Sequence, residues 1–327
     1  MMIDRRTALL GSLASGIVAA QTPPPGVRGQ RLPLPDPVET IDLWPAGAPG
    51  MPAVPPVEKT VDRSTAPAQP DRYVEGIVRP RLVVFRPAKP NGAALLVAPG
   101  GGYVRIVLDK EGYEIGRWLS ARGWTVFVLF YRLPGEGWRD AANAPLADAQ
   151  RAMRLIRARA RSYGVDPAKV AAMGFSAGGH VCGDLATRFA APVYAPVDAA
   201  DRLSARPDLA APIYAVQSMR LPLAHPGSRE QLLGRAATPA IERAHSVAAN
   251  VTRDTPPCFL AHAEDDGTVP VDNTLEMRTA LKAAGVPVDT HLFAEGGHGF
   301  GLKRAEGKPA AMWPELFAGW ATRHGLG

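Results

Sequence analysis

The sequence predicts an α/β domain whose mostly parallel sheet carries helices on both faces. Three observations lead there. From residue 72 onward, short β-branched and apolar runs alternate with amphipathic helical stretches, which is the pattern of a parallel sheet joined by crossover helices. Between one such run and a helix stands a turn built of small residues, Gly174-Phe175-Ser176-Ala177-Gly178. Length agrees as well. Of 327 residues, an N-terminal leader over 1–20 and a proline-rich arm over 21–71 leave about 255 for the segment 72–327, the size of one α/β domain.

The elements follow in chain order. Arg5-Arg6 precede an uncharged run over 8–20 that closes on Val18-Ala19-Ala20. This reads as an export leader of twin-arginine type and places the mature chain in the periplasm or outside the cell. A run of 13 residues is too short for a permanent membrane anchor. Residues 21–71 hold thirteen of the 33 prolines and read as an extended or irregular arm, because proline lacks the amide that helices and central strands use. Within the arm, Trp44 is expected to dock on the main domain. Strands are expected at 82–85, 93–98, 125–130, 169–175, 209–214, 258–263 and 288–293, each a short apolar run bounded by turn residues. Helices are expected at 113–122, 145–163, 176–189, 272–284 and 313–324. The second of these carries Leu146, Ala149, Met153 and Ile156 along one stripe.

Composition excludes several classes. At 46% hydrophobic the chain is too apolar to be disordered, and no uncharged apolar run reaches the ~18 residues of a membrane span. The net charge of +6 includes one dense run, Arg151, Arg154, Arg157, Arg159 and Arg161. It lies on a helix beside Met153, Leu155 and Ile156 and reads as a solvated helix face, not a nucleic-acid surface. Cys182 and Cys258 permit one disulfide, but a chain of this size stands on its core, and the pair reads as two buried thiols. No H-E-x-x-H, Cys/His cluster, Walker loop or G-x-G-x-x-G is present, so neither metal nor cofactor is expected; Ile106 stands where the last glycine of the dinucleotide motif would fall.

Three pieces of chemistry sit at strand ends. In the strand–turn–helix setting, Gly174-Phe175-Ser176-Ala177-Gly178 is a nucleophile elbow. Small residues tolerate the close approach of strand and helix, and the serine hydroxyl emerges at a helix N-terminus. Pro99-Gly100-Gly101-Gly102-Tyr103 follows the 93–98 strand and leaves backbone amides free to face an oxyanion. Asp266 and His298 lie on loops after two successive strands, giving the order Ser, Asp, His. In such a set the imidazole relays the serine proton while the carboxylate fixes its tautomer. His180, on the helix after the serine, and His262, at a strand end, read as structural. The acidic run Glu264-Asp265-Asp266 is weak evidence for calcium.

In these stretches the chain resembles α/β-hydrolases of the bacterial carbohydrate-esterase type, related to hormone-sensitive-lipase-like esterases and close to secreted acetylxylan-esterase-like proteins. Further matching residues are Leu43-Trp44-Pro45, Glu111-Gly112, Tyr131-Arg132-Leu133-Pro134, the run 145–152, Gly179-His180, Arg206-Pro207-Asp208 and His225-Pro226-Gly227-Ser228. The resemblance implies a serine hydrolase on an eight-stranded, mostly parallel sheet without cofactor. It implies Ser176 as nucleophile, His298 as general base and acid, and Asp266 as the orienting acid, three residues before Val269. The amides of Gly101, Gly102 and Ala177 are the implied oxyanion hole, with Pro99 where many esterases have histidine. The implied substrates are short acyl esters, acetyl foremost, of hemicellulose sugars. A general short-chain carboxylesterase or aryl-ester hydrolase is the alternative, and a prolyl-oligopeptidase-like peptidase is disfavoured because 327 residues leave no room for its usual second domain. Tyr103, Glu111 and Trp138 are candidates for lining the acyl or sugar side. The competing roles are core packing for Trp138 and a helix cap or salt bridge for Glu111.

Overall fold

A computed structural model describes residues 36–66 and 69–327; the expected leader and the first part of the arm lie outside the described residues. In chain order the elements are β1 (Thr40–Asp42), β2 (Lys59–Asp62), β3 (Arg72–Glu75), β4 (Arg81–Phe85), β5 (Gly92–Ala98), β6 (Ile106–Val107), α1 (Glu114–Ser120), β7 (Thr125–Phe130), α2 (Ala144–Ala158), β8 (Val165–Phe175), α3 (Ser176–Arg188), β9 (Ala210–Ile213), α4 (Pro226–Leu233), α5 (Pro239–Ala244), β10 (Cys258–Ala263), α6 (Asp272–Ala283), β11 (Val288–Phe293) and α7 (Trp313–Arg323).

The expected eight-stranded, mostly parallel sheet is formed among the described residues, in the order β1-β4-β7-β5-β8-β9-β10-β11. β1, β4 and β7 pair antiparallel, and every pairing from β7 to β11 is parallel. All six residues of β7 and of β10 are buried, as a sheet covered on both faces requires. From β5 the chain runs to β7 on one side and then to β8 on the other. Such a reversal opens a crevice at the strands' carboxyl ends, where ligands of open α/β sheets bind. The register Ala98↔Gly174 brings the end of β5 beside the end of β8, so the glycine loop and the serine elbow become neighbours.

Several elements differ from expectation for local reasons. Arg72 opens β3, which joins β2 and β6 in a separate antiparallel sheet; β2 and β3 are short and largely polar with only Val74 buried, and β6 is a buried Ile-Val pair too short to carry a period. α4 and α5 are short and start with proline; α4 buries only Ser228 and Leu232, and α5 buries none of its residues. The expected 113–122 helix is preceded by a wide turn over Asp109–Tyr113, and α2 stops at Ala158 ahead of a tight turn that ends on Gly164 at φ 64°. No helix of the described residues is long and apolar enough to cross a membrane. Cys182 and Cys258 are free and buried, and burial pushes the Cys182 thiol up to about 12.

The arginine run corrects one expectation. Arg151 is buried on the inner side of α2, where Nε donates to the Leu43 carbonyl at 3.0 Å and the guanidinium pairs with Asp198 and Asp201. These partners arrive from distant loops, which helical periodicity does not reveal. A second buried ion pair fixes the segment before β2. Asp148 of α2 is fully buried and receives both the Arg132 guanidinium at 2.8 Å and the Trp44 indole Nε1–H at 2.7 Å. Arg132 reaches on to the Pro49 carbonyl at 2.6 Å. Removing one partner of a buried pair strands the other charge. Asp148→Ala is therefore expected to lower unfolding free energy by about 3–5 kcal/mol, read as a shift in urea midpoint; a change under 1 kcal/mol would show that the tie contributes little.

Candidate active site

β8 passes into α3 with no intervening residue, and Ser176 takes the turn at φ 53°. A non-glycine residue there stores about 1–3 kcal/mol and needs rigid surroundings to hold it. The flanking glycines permit that. A β-carbon on Gly174 would meet the Gly178 carbonyl oxygen at 2.0 Å, and one on Gly178 would meet the Ala98 oxygen at 2.1 Å. Only backbone fits between the elbow and the end of β5.

The three side chains named from the sequence come together. Ser176 Oγ lies 2.8 Å from His298 Nε2, and His298 Nδ1 lies 2.7 Å from Asp266 Oδ2. A carboxylate only accepts, so Nδ1 carries the proton and Nε2 is left to accept from the serine hydroxyl. Asp266 also accepts the amides of Thr268 and Val269 at Oδ1, at 2.8 and 2.9 Å, and His262 Nε2 at Oδ2, at 3.1 Å. Burial works to raise its pKa, but the hydrogen bonds from His262 and His298 outweigh it and hold the carboxyl well below the usual range.

Sequence reasoning missed the supports of the histidine loop. Asp265 accepts the amides of Gly296 and Gly297 at 2.9 and 2.6 Å, pinning the turn just before His298. The Tyr214 ring packs edge-on against His298 and Phe300, with centroids 5.3 and 4.4 Å away. Trp313 Nε1 donates to the Gly301 carbonyl at 2.7 Å. The two adjacent carboxylates thus divide the work, Asp265 for the loop and Asp266 for the ring. Their adjacency in the sequence was the available signal.

The glycine loop lies opposite. The Gly101 and Gly102 amides have no acceptor among the described residues, and the Ala177 amide sits in the first turn of α3, where no intrahelical acceptor exists. Glu111 is buried. Its Oε2 accepts the Gly100 amide at 2.9 Å and its Oε1 accepts the Tyr214 hydroxyl at 3.1 Å, so it lines the cleft as a brace for the loop. Tyr103 and Trp138 correct the sequence reading, since neither lines the cleft. Tyr103, at φ 64°, turns into the core and donates to His180 Nδ1 at 2.6 Å, while His180 Nε2 donates to the His245 carbonyl at 2.7 Å. Burial pushes His180 down to about 4. Trp138 is buried with Arg132 over its ring at 5.3 Å. His225, whose Nδ1 caps α4 by accepting the Ser228 amide at 3.2 Å, does line the cleft. The cleft around Ser176, His298, Gly101 and Gly102 has a volume of about 320 Å³.

Residues 84–281, more than half of the chain, match the family model described as BD-FAE. The chain belongs to the BD-FAE family. Members of this α/β-hydrolase esterase group that it resembles include an acetylxylan esterase of Xylanibacter ruminicola, 32% identical over 68% of this chain and 44% of that protein. An endo-1,4-beta-xylanase B of Butyrivibrio fibrisolvens is 34% identical over 69% of this chain and 34% of that protein. The chain thus spans less than half the length of either curated relative. The crystal structure of an acetyl ester-xyloside bifunctional hydrolase from Caldicellulosiruptor lactoaceticus superposes with a TM-score of 0.74 at 32% identity, covering 90% of this chain and all of that one. The BD-FAE match encloses the glycine loop, Ser176 and Asp266; His298 lies beyond it.

The depressed Asp266 pKa has a thermodynamic consequence. Its stabilisation is fully present above the unfolded-state value of about 3.9 and is lost as pH falls through the lower folded value. Urea titrations at pH 7 and pH 3 are expected to show a smaller acid-induced loss of stability in Asp266→Asn than in the wild type; equal losses would refute the assignment.

Proposed function

We propose that this BD-FAE chain is an exported serine esterase that removes short acyl groups, acetyl foremost, from hemicellulose-derived saccharides. The observation that carries the reading is the Ser176–His298–Asp266 line of hydrogen bonds, opening on a cleft with free amides. Ser176 Oγ attacks the ester carbonyl while His298 Nε2 takes its proton, and Asp266 stabilises the imidazolium that results. The amides of Gly101, Gly102 and Ala177 receive the negative charge developing on the carbonyl oxygen. His298 then returns the proton to the departing sugar hydroxyl, leaving an acyl group on Ser176. Water, activated by the same imidazole, releases the acid and restores the serine. The names of the similar proteins support acetyl esters and xylan as the chemistry.

Ser176→Ala is expected to lower turnover of p-nitrophenyl acetate by roughly 10⁴–10⁶-fold and to abolish labelling by a fluorophosphonate. Retained turnover, or label on another serine, defeats the mechanism. The wild type is expected to release acetate from acetylated xylan and to slow as the acyl chain lengthens in a p-nitrophenyl series. Brisk aryl-ester turnover with no acetate from any acetylated saccharide would identify a general carboxylesterase.

Export rests on the Arg5-Arg6 leader. Replacing both arginines by lysine is expected to retain the chain in the cytoplasm on cell fractionation, and unchanged export would exclude the twin-arginine route.

A further inference from the structure

Among the described residues, two cations of the cleft make no ion pair with a carboxylate. Arg105 and Lys110 line it together with Ser176 and His298. The Arg105 guanidinium lies over the Tyr73 ring, 4.8 Å from its centroid, and makes no ion pair among the described residues. Lys110 is half-buried, and its ammonium rests against Gly299, the neighbour of His298; a β-carbon on that glycine would meet Nζ at 2.9 Å. It has neither a hydrogen bond nor an ion pair among the described residues. Burial lowers its pKa; Glu111 and Asp71 act electrostatically in the opposite sense, and Arg304 and Arg63 in the same sense.

The surroundings define what is missing. Among the described residues lining the cleft, Glu111 supplies the one carboxylate, and its two oxygens are already taken by the Gly100 amide and the Tyr214 hydroxyl. Lys110 also borders a neighbouring cavity, and there the cations are paired: Arg63 with Asp71 at 2.8 Å, Lys303 with Glu114 at 3.0 Å and Arg304 with Asp71 at 3.3 Å. The described residues lining the Ser176 cleft thus carry two cations against the single Glu111 carboxylate, whose neutral donors leave its charge in place, and the balance there is one positive charge. A partly desolvated ammonium without a partner costs free energy, and an anion entering the cleft would recover it. A guanidinium fork and a point charge lining one cleft are both suited to a carboxylate.

We propose that Arg105 and Lys110 form a carboxylate-binding subsite beside Ser176, so that the favoured substrates are acylated saccharides carrying a uronate. The inference rests on the esterase reading only in assigning the carboxylate to the sugar, because an acetyl group brings none.

Calorimetric titration of the full chain with unacylated xylotriose, and with xylotriose bearing one glucuronic acid, tests the subsite without relying on turnover. The acidic saccharide is expected to bind roughly tenfold or more tightly at low salt, with the advantage shrinking as ionic strength rises. Arg105→Gln and Lys110→Met are each expected to reduce that advantage by roughly tenfold, whereas Lys110→Arg keeps most of it. Equal binding of the two saccharides, or an acid advantage that survives in the double variant, overturns the subsite. Failure of the esterase reading is separately visible as an absence of acetate from every acetylated saccharide.

Discussion

The active site depends on a backbone-to-backbone approach between the end of β5 and the first turn of α3. Gly178 lies so close to the Ala98 and Pro99 carbonyls that a single methyl would collide with both. Because strand and helix meet there without side chains, the Gly100–Gly102 amides and the Ser176 hydroxyl share one cleft. The register Ala98↔Gly174 sets the height of the two ends, and the reversal of strand order opens the space above them. The strained φ of Ser176 is held by this packing and by the Val216 amide, which donates to the Ser176 carbonyl at 3.2 Å.

The opposite wall is assembled differently. His298 lies on a loop between β11 and α7, and that loop is held by polar contacts from several elements. Asp265 ties its glycine amides, Tyr214 packs against the ring from the end of β9, and Trp313 holds Gly301 from α7. Asp266 is in turn fixed by two amides and by His262, itself bonded to Thr274 of α6. Four N–H donors around one buried carboxylate offset the cost of its burial, and the ring is thereby kept in a single orientation.

Much of this was legible in the sequence because it is local. The apolar runs marked the strands of the main sheet other than β1, and the glycine pattern around Ser176 marked the elbow within one residue. The order of Asp266 and His298 after successive strands named two partners that lie far from Ser176 in the chain. What the sequence concealed depends on tertiary contact. Tyr103 follows three glycines, yet its left-handed backbone turns it inward to His180. Trp138 is an aromatic near a strand end, yet it stacks with Arg132 in the core. Arg151 lies among solvent-facing arginines by periodicity, and only the arrival of Asp198 and Asp201 from a distant loop accounts for its burial. In the small sheet, β2 and β3 are too short and polar to leave a period, and β6 is only the two apolar residues Ile106 and Val107.

The Tyr103–His180–His245 chain has a consequence for how the oxyanion side behaves in solution. The loop that carries Gly101 and Gly102 is moored at its far end by a phenol whose pKa is driven well above 10 by burial, and by an imidazole that remains uncharged until about pH 4. Neither mooring changes protonation through the weakly acid and neutral ranges. The tether that holds the cleft-facing amides from the core is therefore the same across that interval.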